Sequence, residues 1–125
     1  MTLLRLCLLP NFCKFNDDFY ILPYGVPMGS PLAPLISEVF MRHFEEEVLQ
    51  SENEVVGHVL YWYRYVDDVL CSWGGSLLQL QEFLSMLNDE FSSITFTLEV
   101  GGDKINFLDL TVSIGAGHPP IKFIN

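Results

Sequence analysis

The chain has 125 residues, half of them hydrophobic, and a formal net charge of −10 at pH 7. This size suits one domain or part of a larger one, and because no apolar run approaches about 18 residues, no transmembrane helix is predicted. The three cysteines lack the spacing of a disulfide framework or zinc site, which indicates a reducing intracellular compartment, and the acidic charge argues against strong binding of nucleic acid.

The first third of the chain predicts a helix end, a hairpin and a loop. Residues 3–9 are mostly apolar and are followed by a proline, as at the end of a helix. Residues 12–15 and 19–22 flank the turn-forming triplet Asn16-Asp17-Asp18, which predicts a β-hairpin. Residues 25–31 hold two glycines and two prolines and predict a loop.

A long helix is predicted after this loop. Ser30 is a suitable N-cap, and Pro31 suits the first helical position. Hydrophobic residues then recur at steps of three and four, which predicts one apolar stripe made of Leu32, Leu35, Ile36, Val39, Phe40, His43 and Phe44. The three glutamates at positions 45–47 oppose the helix dipole, so we expect that end to fray.

A second hairpin is predicted next. Residues 59–66 and 69–73 are rich in β-branched and aromatic side chains, which predicts two strands joined by a turn at Asp67-Asp68. Side chains alternate along a strand, so one face should hold Val59, Tyr61, Tyr63 and Tyr65, and the other Leu60, Trp62, Arg64 and Val66. These aromatic side chains fit either a buried core or a surface on which bases stack.

The last third predicts another helix and a third hairpin. Ser76 and Gln79 have the spacing of a capping box, ahead of a helix whose buried face should hold Leu77, Leu80, Phe83, Leu84, Leu87 and Phe91. Residues 94–100 and 105–114 predict two strands joined by a turn that contains glycine, and about residues 115–125 predict an irregular tail. The element order predicts an α+β domain, an antiparallel sheet with helices packed on one face.

Two candidate sites emerge from this pattern. Asp67 and Asp68 place adjacent carboxylates between apolar flanks, which is costly unless a cation lies between them, and hard oxygen ligands favour Mg²⁺ or Mn²⁺. This predicts a metal site for phosphoryl transfer, with a solvent-exposed turn as the alternative. Gly25 and Gly29 let a nucleotide or template backbone approach the loop closely, or else serve the geometry of the turn alone.

In combination, these segments resemble the palm domain of a reverse transcriptase. The blocks that carry the resemblance are Gly25-Val26-Pro27-Met28-Gly29-Ser30-Pro31-Leu32-Ala33-Pro34, Arg64-Tyr65-Val66-Asp67-Asp68, Trp73-Gly74-Gly75-Ser76, Leu87-Asn88 and residues 94–99 and 105–110. Their order and gaps are most similar to those of Penelope-like retroelements. The resemblance implies an RNA-directed DNA polymerase, in which a primer 3′-hydroxyl attacks the α-phosphate of a dNTP.

The resemblance also implies roles for single residues and for partners. Asp67 would be a ligand of the catalytic metal ions, and Asp68 would support the same site, with two Mg²⁺ or Mn²⁺ ions in the complete enzyme. The substrate-binding residues would be Tyr65 beside the primer end, Gly29, Ser30 and Pro31 in the nucleotide pocket, and Phe107 and Leu108 in the primer-grip turn. The implied partners are an RNA template, a DNA primer and a dNTP, without a membrane, and the implied location is nuclear.

The chain departs from the family in one respect that affects activity. The third metal-binding carboxylate lies in the family on a strand before the first hairpin, and we expect the chain to be a palm fragment without that strand, the fingers and the thumb. We therefore expect residues 1–125 to be inactive alone and to bind nucleic acid weakly. The alternatives are a catalytically dead relic or interaction module, and a small metal-dependent phosphohydrolase that recruits Glu99 or Asp109.

Overall fold

The computed structural model of the protein describes residues 2–8, 11–117 and 121–124. Helices and small antiparallel sheets alternate along the chain, which confirms the predicted α+β class. The chain divides into two units, Met1–His43 and Phe44–Asn125. Among the residues described, no helix has the length and apolarity that crossing a membrane requires.

The first unit begins with a short helix and a hairpin. Helix α1 spans Thr2–Leu8, and strand β1 (Phe12–Phe15) pairs with β2 (Asp18–Ile21). The turn is only Asn16-Asp17, with φ of 48° and 65°, while Asp18 already pairs with Phe15. Asparagine and aspartate tolerate this left-handed conformation, which two-residue hairpin turns require. The predicted helix stop at residues 9 and 10 lies outside the described residues.

Helix α2 spans Ala33–Leu49 and begins later than predicted. Ser30 does not cap the helix directly but closes a turn before it: its carbonyl accepts from the Ala33 N–H at 3.1 Å, and its hydroxyl accepts from the Leu32 N–H at 3.3 Å. The helix continues past the three glutamates to Leu49, where we expected fraying.

The predicted apolar stripe of α2 is exposed over most of its length. Leu35 and Val39 are 62% and 63% exposed, and of the predicted stripe only Phe44 is fully buried. Phe44 and Val48 belong to the second unit, where the Phe44 ring stacks on Phe96 with centroids 5.3 Å apart. Periodicity identifies an amphipathic face but does not specify whether another element covers it.

A four-stranded antiparallel sheet lies in the second unit. A short 3-10 helix, Glu54–His58, leads into its first strand. The strand order is β3 (Val59–Tyr65), β4 (Asp68–Trp73), β8 (Ile121–Ile124) and β5 (Leu98–Val100). Strand β8 lies where the sequence predicted an irregular tail. A four-residue strand next to glycines and prolines is too short to show a period in the sequence.

A separate hairpin consists of β6 (Lys104–Phe107) and β7 (Leu110–Ser113). The predicted single strand over residues 105–114 is wrong, because Leu108 and Asp109 form a two-residue turn inside it. Leu108 has a φ of 55°, which apolar side chains rarely adopt, so no local pattern in the sequence predicts this turn. The family resemblance did imply a turn here.

The predicted pairing of residues 94–100 with the following strand is also wrong. Strand β5 pairs with β8, and residues 94–97 are not in a strand. The Asn88 side chain instead satisfies the backbone of Phe96: its amide nitrogen donates to the Phe96 carbonyl at 3.1 Å, and its oxygen accepts from the Phe96 N–H at 2.6 Å. A side-chain amide therefore takes the place of a neighbouring strand at this position.

Helix α3, Leu77–Glu90, lies in the core of the second unit. The predicted capping box is confirmed, because the Ser76 and Gln79 side chains bond reciprocally to each other's backbone N–H. The fully buried residues of the predicted face are Leu80, Phe83 and Leu87, whereas Leu77 is 54% exposed and was wrongly included. The Phe83 ring contacts the two tryptophan rings, with centroids 6.2 Å from Trp62 and 5.3 Å from Trp73.

The connection from β4 to α3 explains why glycine is needed at position 75. A Cβ atom there would lie 2.8 Å from the His58 ring and 2.9 Å from Gln79 Oε1. The Gln79 amide nitrogen donates to His58 Nε2 at 2.9 Å, and its oxygen accepts from the Ser76 N–H. Moving either side chain away would therefore break a hydrogen bond. The glycine thus lets the 3-10 helix pack closely against the start of α3.

Candidate active site

Asp67 and Asp68 lie at the tip of the β3–β4 hairpin. The register pairs Tyr65 with Asp68, so the turn is Val66-Asp67, and Asp68 is the first residue of β4 rather than the second turn residue predicted. Val66 has a φ of 55°. A β-branched residue in this conformation is strained by about 1–3 kcal/mol, and such strain persists only where surrounding contacts fix the backbone.

The two faces of the β3–β4 hairpin differ sharply in exposure. Val69, Cys71 and Trp73 of β4 are at most 1% exposed and lie in the core. Burial raises the pKa of the Cys71 thiol to about 12, so this group stays a neutral thiol at physiological pH. Because side chains alternate along a strand, Asp68 belongs to the opposite face, which is open along β3, although Ser72 of β4 on this face is buried.

This open face carries three exposed tyrosines beside Asp68. Tyr61, Tyr63 and Tyr65 are 58%, 61% and 61% exposed, and the register places Tyr65 directly opposite Asp68. The rings of Tyr61 and Tyr63 are nearly parallel, with centroids 6.3 Å apart. We call these four residues the tyrosine face. The predicted alternation is confirmed for residues 61–65, and the three tyrosines are surface residues rather than core.

The opposite face of β3 holds a half-buried ion pair. The Arg64 side chain is 9% exposed and that of Glu45, near the end of α2, is 18% exposed. Arg64 Nε donates to Glu45 Oε1 at 2.7 Å, and the Trp62 indole N–H donates to the same oxygen at 2.9 Å. Arg64 Nη1 also donates to the Val66 carbonyl at 3.2 Å, which links α2 to the hairpin tip.

The sequence analysis did not identify the ion pair between Glu45 and Arg64. Glu45 was considered only for its effect on the helix dipole, and Arg64 only as a strand residue on the face of Trp62 and as a member of a motif. One signal was available: alternation places Arg64 on the same face as Trp62, opposite the tyrosines, where a buried cation needs an acidic partner. The sequence did not indicate which of the three glutamates at positions 45–47 would supply it.

The two carboxylates at the tip fit a divalent cation that substrate phosphates and water also bind. Asp67 is exposed and Asp68 half-buried. In the part of the chain that the structure describes, no three His, Cys, Asp or Glu side chains gather into a metal site. Glu99 and Asp109 therefore do not complete a site with the pair, which removes the support for a phosphohydrolase. Mg²⁺ is, however, commonly held by one or two carboxylates together with substrate phosphates and water, and the pair fits that mode.

Adjacent carboxylates at a hairpin tip are not diagnostic by themselves. In the β1–β2 hairpin, Asp17 and Asp18 occupy the same turn and strand positions as Asp67 and Asp68. Asp17 there pairs with Lys14, whose Nζ lies 2.7 Å from Asp17 Oδ1. The 67–68 pair differs by its strained valine and by its place on the tyrosine face. The first hairpin thus provides an internal control for the second.

The other predicted site residues belong to separate elements. Gly29, Ser30 and Pro31 lie in the loop of the first unit. Gly29 has a φ of 89°, and a Cβ atom there would meet open space, so backbone conformation rather than crowding requires the glycine. Phe107 and Leu108 lie in the β6–β7 hairpin, outside the sheet that carries the aspartates. The structure therefore places Tyr65, Asp67 and Asp68 in one hairpin, whereas the remaining predicted residues belong to other elements.

Comparison with known proteins identifies one family. The family model described as reverse transcriptase (RNA-dependent DNA polymerase) matches residues 2–123. The match includes the loop of the first unit and both hairpins of the second. Searches of curated proteins and of solved structures found no match.

Proposed function

The chain belongs to the reverse transcriptase (RNA-dependent DNA polymerase) family, and from this premise we propose that it is part of the polymerase palm of a Penelope-like retroelement. The proposed reaction is transfer of a nucleotide from a dNTP to a primer 3′-hydroxyl on an RNA template, with release of pyrophosphate. One observation carries the proposal: the aspartate pair lies at a strained hairpin tip beside an open face of tyrosines.

In this proposal the carboxylates of Asp67 and Asp68 hold divalent cations together with the phosphates of the dNTP. When bound, two Mg²⁺ or Mn²⁺ ions supply activation of the primer hydroxyl and neutralisation of charge on the leaving group. The family mechanism also uses a third carboxylate, which none of the described residues adds to the pair. The chain's own task is therefore to present two carboxylates at a fixed place on an accessible tip.

The tyrosine face is the proposed support for the primer end. Tyr65 pairs with Asp68 across the hairpin, so a strand that contacts the Tyr65 ring lies beside the aspartates. Exposed aromatic rings stack on bases without a sequence preference, as a polymerase requires. Gly29, Ser30 and Pro31 are proposed to line the nucleotide pocket, and Phe107 and Leu108 to grip the primer.

Charge limits what this chain binds without other segments. Six basic residues against sixteen acidic ones give little attraction for phosphates, which normally supply most of the affinity for nucleic acid. We propose that affinity for the template comes mainly from outside the tyrosine face, and that the tyrosines orient the primer end. In this proposal, other parts of the polymerase bind the template and primer tightly, and the tyrosine face only orients the primer end.

A second candidate function is an interaction module without catalytic activity. The observation that favours it is exposed apolar surface in the first unit, where Met28, Leu35 and Val39 are each more than half exposed. Large exposed apolar patches commonly mark interfaces between proteins. The two candidates differ in one respect that can be measured directly, because only the polymerase extends a primer.

Primer extension by the complete protein tests the proposed function. With an RNA template, a labelled DNA primer and four dNTPs, we expect extension that requires Mg²⁺ or Mn²⁺, stops on chelation and resumes when the ion is restored. A DNA template of the same sequence serves as the control for template type. A folded protein that extends no primer with either ion would contradict the polymerase and favour the interaction module.

A further inference from the structure

We propose that Arg64, oriented by Glu45, is a positioning residue that fixes the Val66-Asp67 turn and thereby the direction in which the Asp67 carboxylate is presented. This inference deepens the proposed function and depends on it for its catalytic consequence. The structural part of the inference, that a half-buried guanidinium holds the turn, does not require that the protein be a polymerase.

The Arg64 side chain connects helix α2 to the Val66-Asp67 turn. Arg64 Nε donates to Glu45 Oε1 at 2.7 Å on one side, and Arg64 Nη1 donates to the Val66 carbonyl at 3.2 Å on the other. The Trp62 indole N–H at 2.9 Å holds the same Glu45 oxygen, so the carboxylate cannot rotate freely. A contact from α2 therefore reaches the peptide that joins Val66 to Asp67.

The orientation of the Val66–Asp67 peptide determines where the Asp67 side chain begins. The Val66 carbonyl belongs to the planar peptide group whose nitrogen is the backbone nitrogen of Asp67. Fixing the carbonyl fixes the peptide plane and hence the start of the Asp67 side chain. Val66 has a φ of 55°, an unfavourable conformation for valine, so a contact that holds the turn offsets part of this strain. The arginine supplies such a contact.

Arginine suits this place better than lysine. Its rigid planar fork presents separate N–H groups in fixed directions, so one side chain can donate to a carboxylate and to a carbonyl at once. A lysine ammonium keeps the positive charge but is a compact point charge on a flexible stem. Replacement of Arg64 by lysine therefore separates the loss of geometry from the loss of charge.

The test compares Arg64→Lys and Glu45→Gln with two matched controls on exposed residues of α2, Arg42→Lys and Glu46→Gln. The first readout is backbone amide hydrogen exchange without metal or nucleotide. We expect exchange of the amides of residues 66–68 to be about tenfold faster in the two test variants, because the turn is no longer held. The amides of residues 108–110, at the other hairpin tip of this unit, should be unchanged.

The second readout is the Mg²⁺ concentration that gives half-maximal primer extension. We expect this concentration to rise about tenfold or more in Arg64→Lys and Glu45→Gln, as is usual when a partner that orients a metal ligand is lost. A lower fraction of folded protein reduces the rate but does not shift the Mg²⁺ requirement. The controls should match the unmodified protein in both readouts.

The outcomes separate the positioning role from the proposed function. If exchange at residues 66–68 stays at the level of the controls in both test variants, the inference is overturned. Faster exchange at every amide of the second unit also overturns it, since it indicates a merely structural role. If the unmodified protein extends no primer, the proposed function fails, and faster exchange confined to residues 66–68 still supports the positioning of the turn by Arg64.

Discussion

Replacement of Asp67 by asparagine is expected to reduce metal-dependent primer extension about a thousandfold or more, equivalent to about 4 kcal/mol of transition-state stabilisation. Asparagine has nearly the same shape as aspartate and also tolerates turns, so the hairpin should form normally. What it lacks is the negative charge that holds a divalent cation. The measurement is the single-turnover rate of nucleotide addition at saturating dNTP in the complete protein.

The matched control for this prediction is Asp17→Asn. Asp17 is the second residue of a two-residue hairpin turn, as Asp67 is, and an aspartate follows it in both cases. The chemical change is identical, but no role in catalysis is proposed for Asp17. We expect Asp17→Asn to leave the rate within about twofold of the unmodified protein, consistent with the small effects of changes away from a site. Equal losses in the two variants would remove Asp67 from the active site.

Replacement of Phe83 by alanine is expected to destabilise the second unit by about 3–5 kcal/mol. Phe83 is fully buried, and its ring contacts both tryptophans of the chain. Its loss leaves a cavity between helix α3 and the β3–β4 hairpin and removes two aromatic contacts. Because small domains have only about 5–15 kcal/mol of stability in total, this change should bring the unit close to unfolding.

Urea unfolding followed by tryptophan fluorescence measures this effect. Trp62 and Trp73 both lie in the second unit, so the signal reports that unit alone. Leu78→Ala is the control on the same helix, since Leu78 is 73% exposed, and should change stability by less than about 0.5 kcal/mol. A Phe83→Ala variant as stable as this control would contradict the proposed core.

Local chemistry allowed much of the second unit to be predicted from the sequence. The capping box at Ser76 and Gln79 needs only residues three positions apart, and it forms as predicted. The alternation of β3 depends only on extended backbone geometry, and it correctly placed Tyr61, Tyr63 and Tyr65 on the face opposite Trp62 and Arg64. Predictions that depended on neighbours within a few residues were the most reliable.

The predictions that failed depended on contacts distant in sequence or on unusual backbone conformations. The turn at Leu108 has a positive φ without glycine or asparagine, which composition does not reveal. Strand β8 pairs with β4 and β5, which lie more than 20 residues before it in the chain. The bond from Glu45 to Arg64 joins residues 19 positions apart, so it could be anticipated as a need for an acidic partner but not assigned.

The central claim is that the tip at Asp67-Asp68 holds divalent cations, and paramagnetic broadening by Mn²⁺ tests it most directly. In a titration followed by NMR of the ¹⁵N-labelled protein, the amide signals of residues 66–69 should broaden at Mn²⁺ concentrations about tenfold below those that affect residues 16–19. The β1–β2 hairpin carries a pair of aspartates at the equivalent turn and strand positions and so serves as the control. Broadening of both tips at the same concentration, or of residues 16–19 first, would contradict the claim.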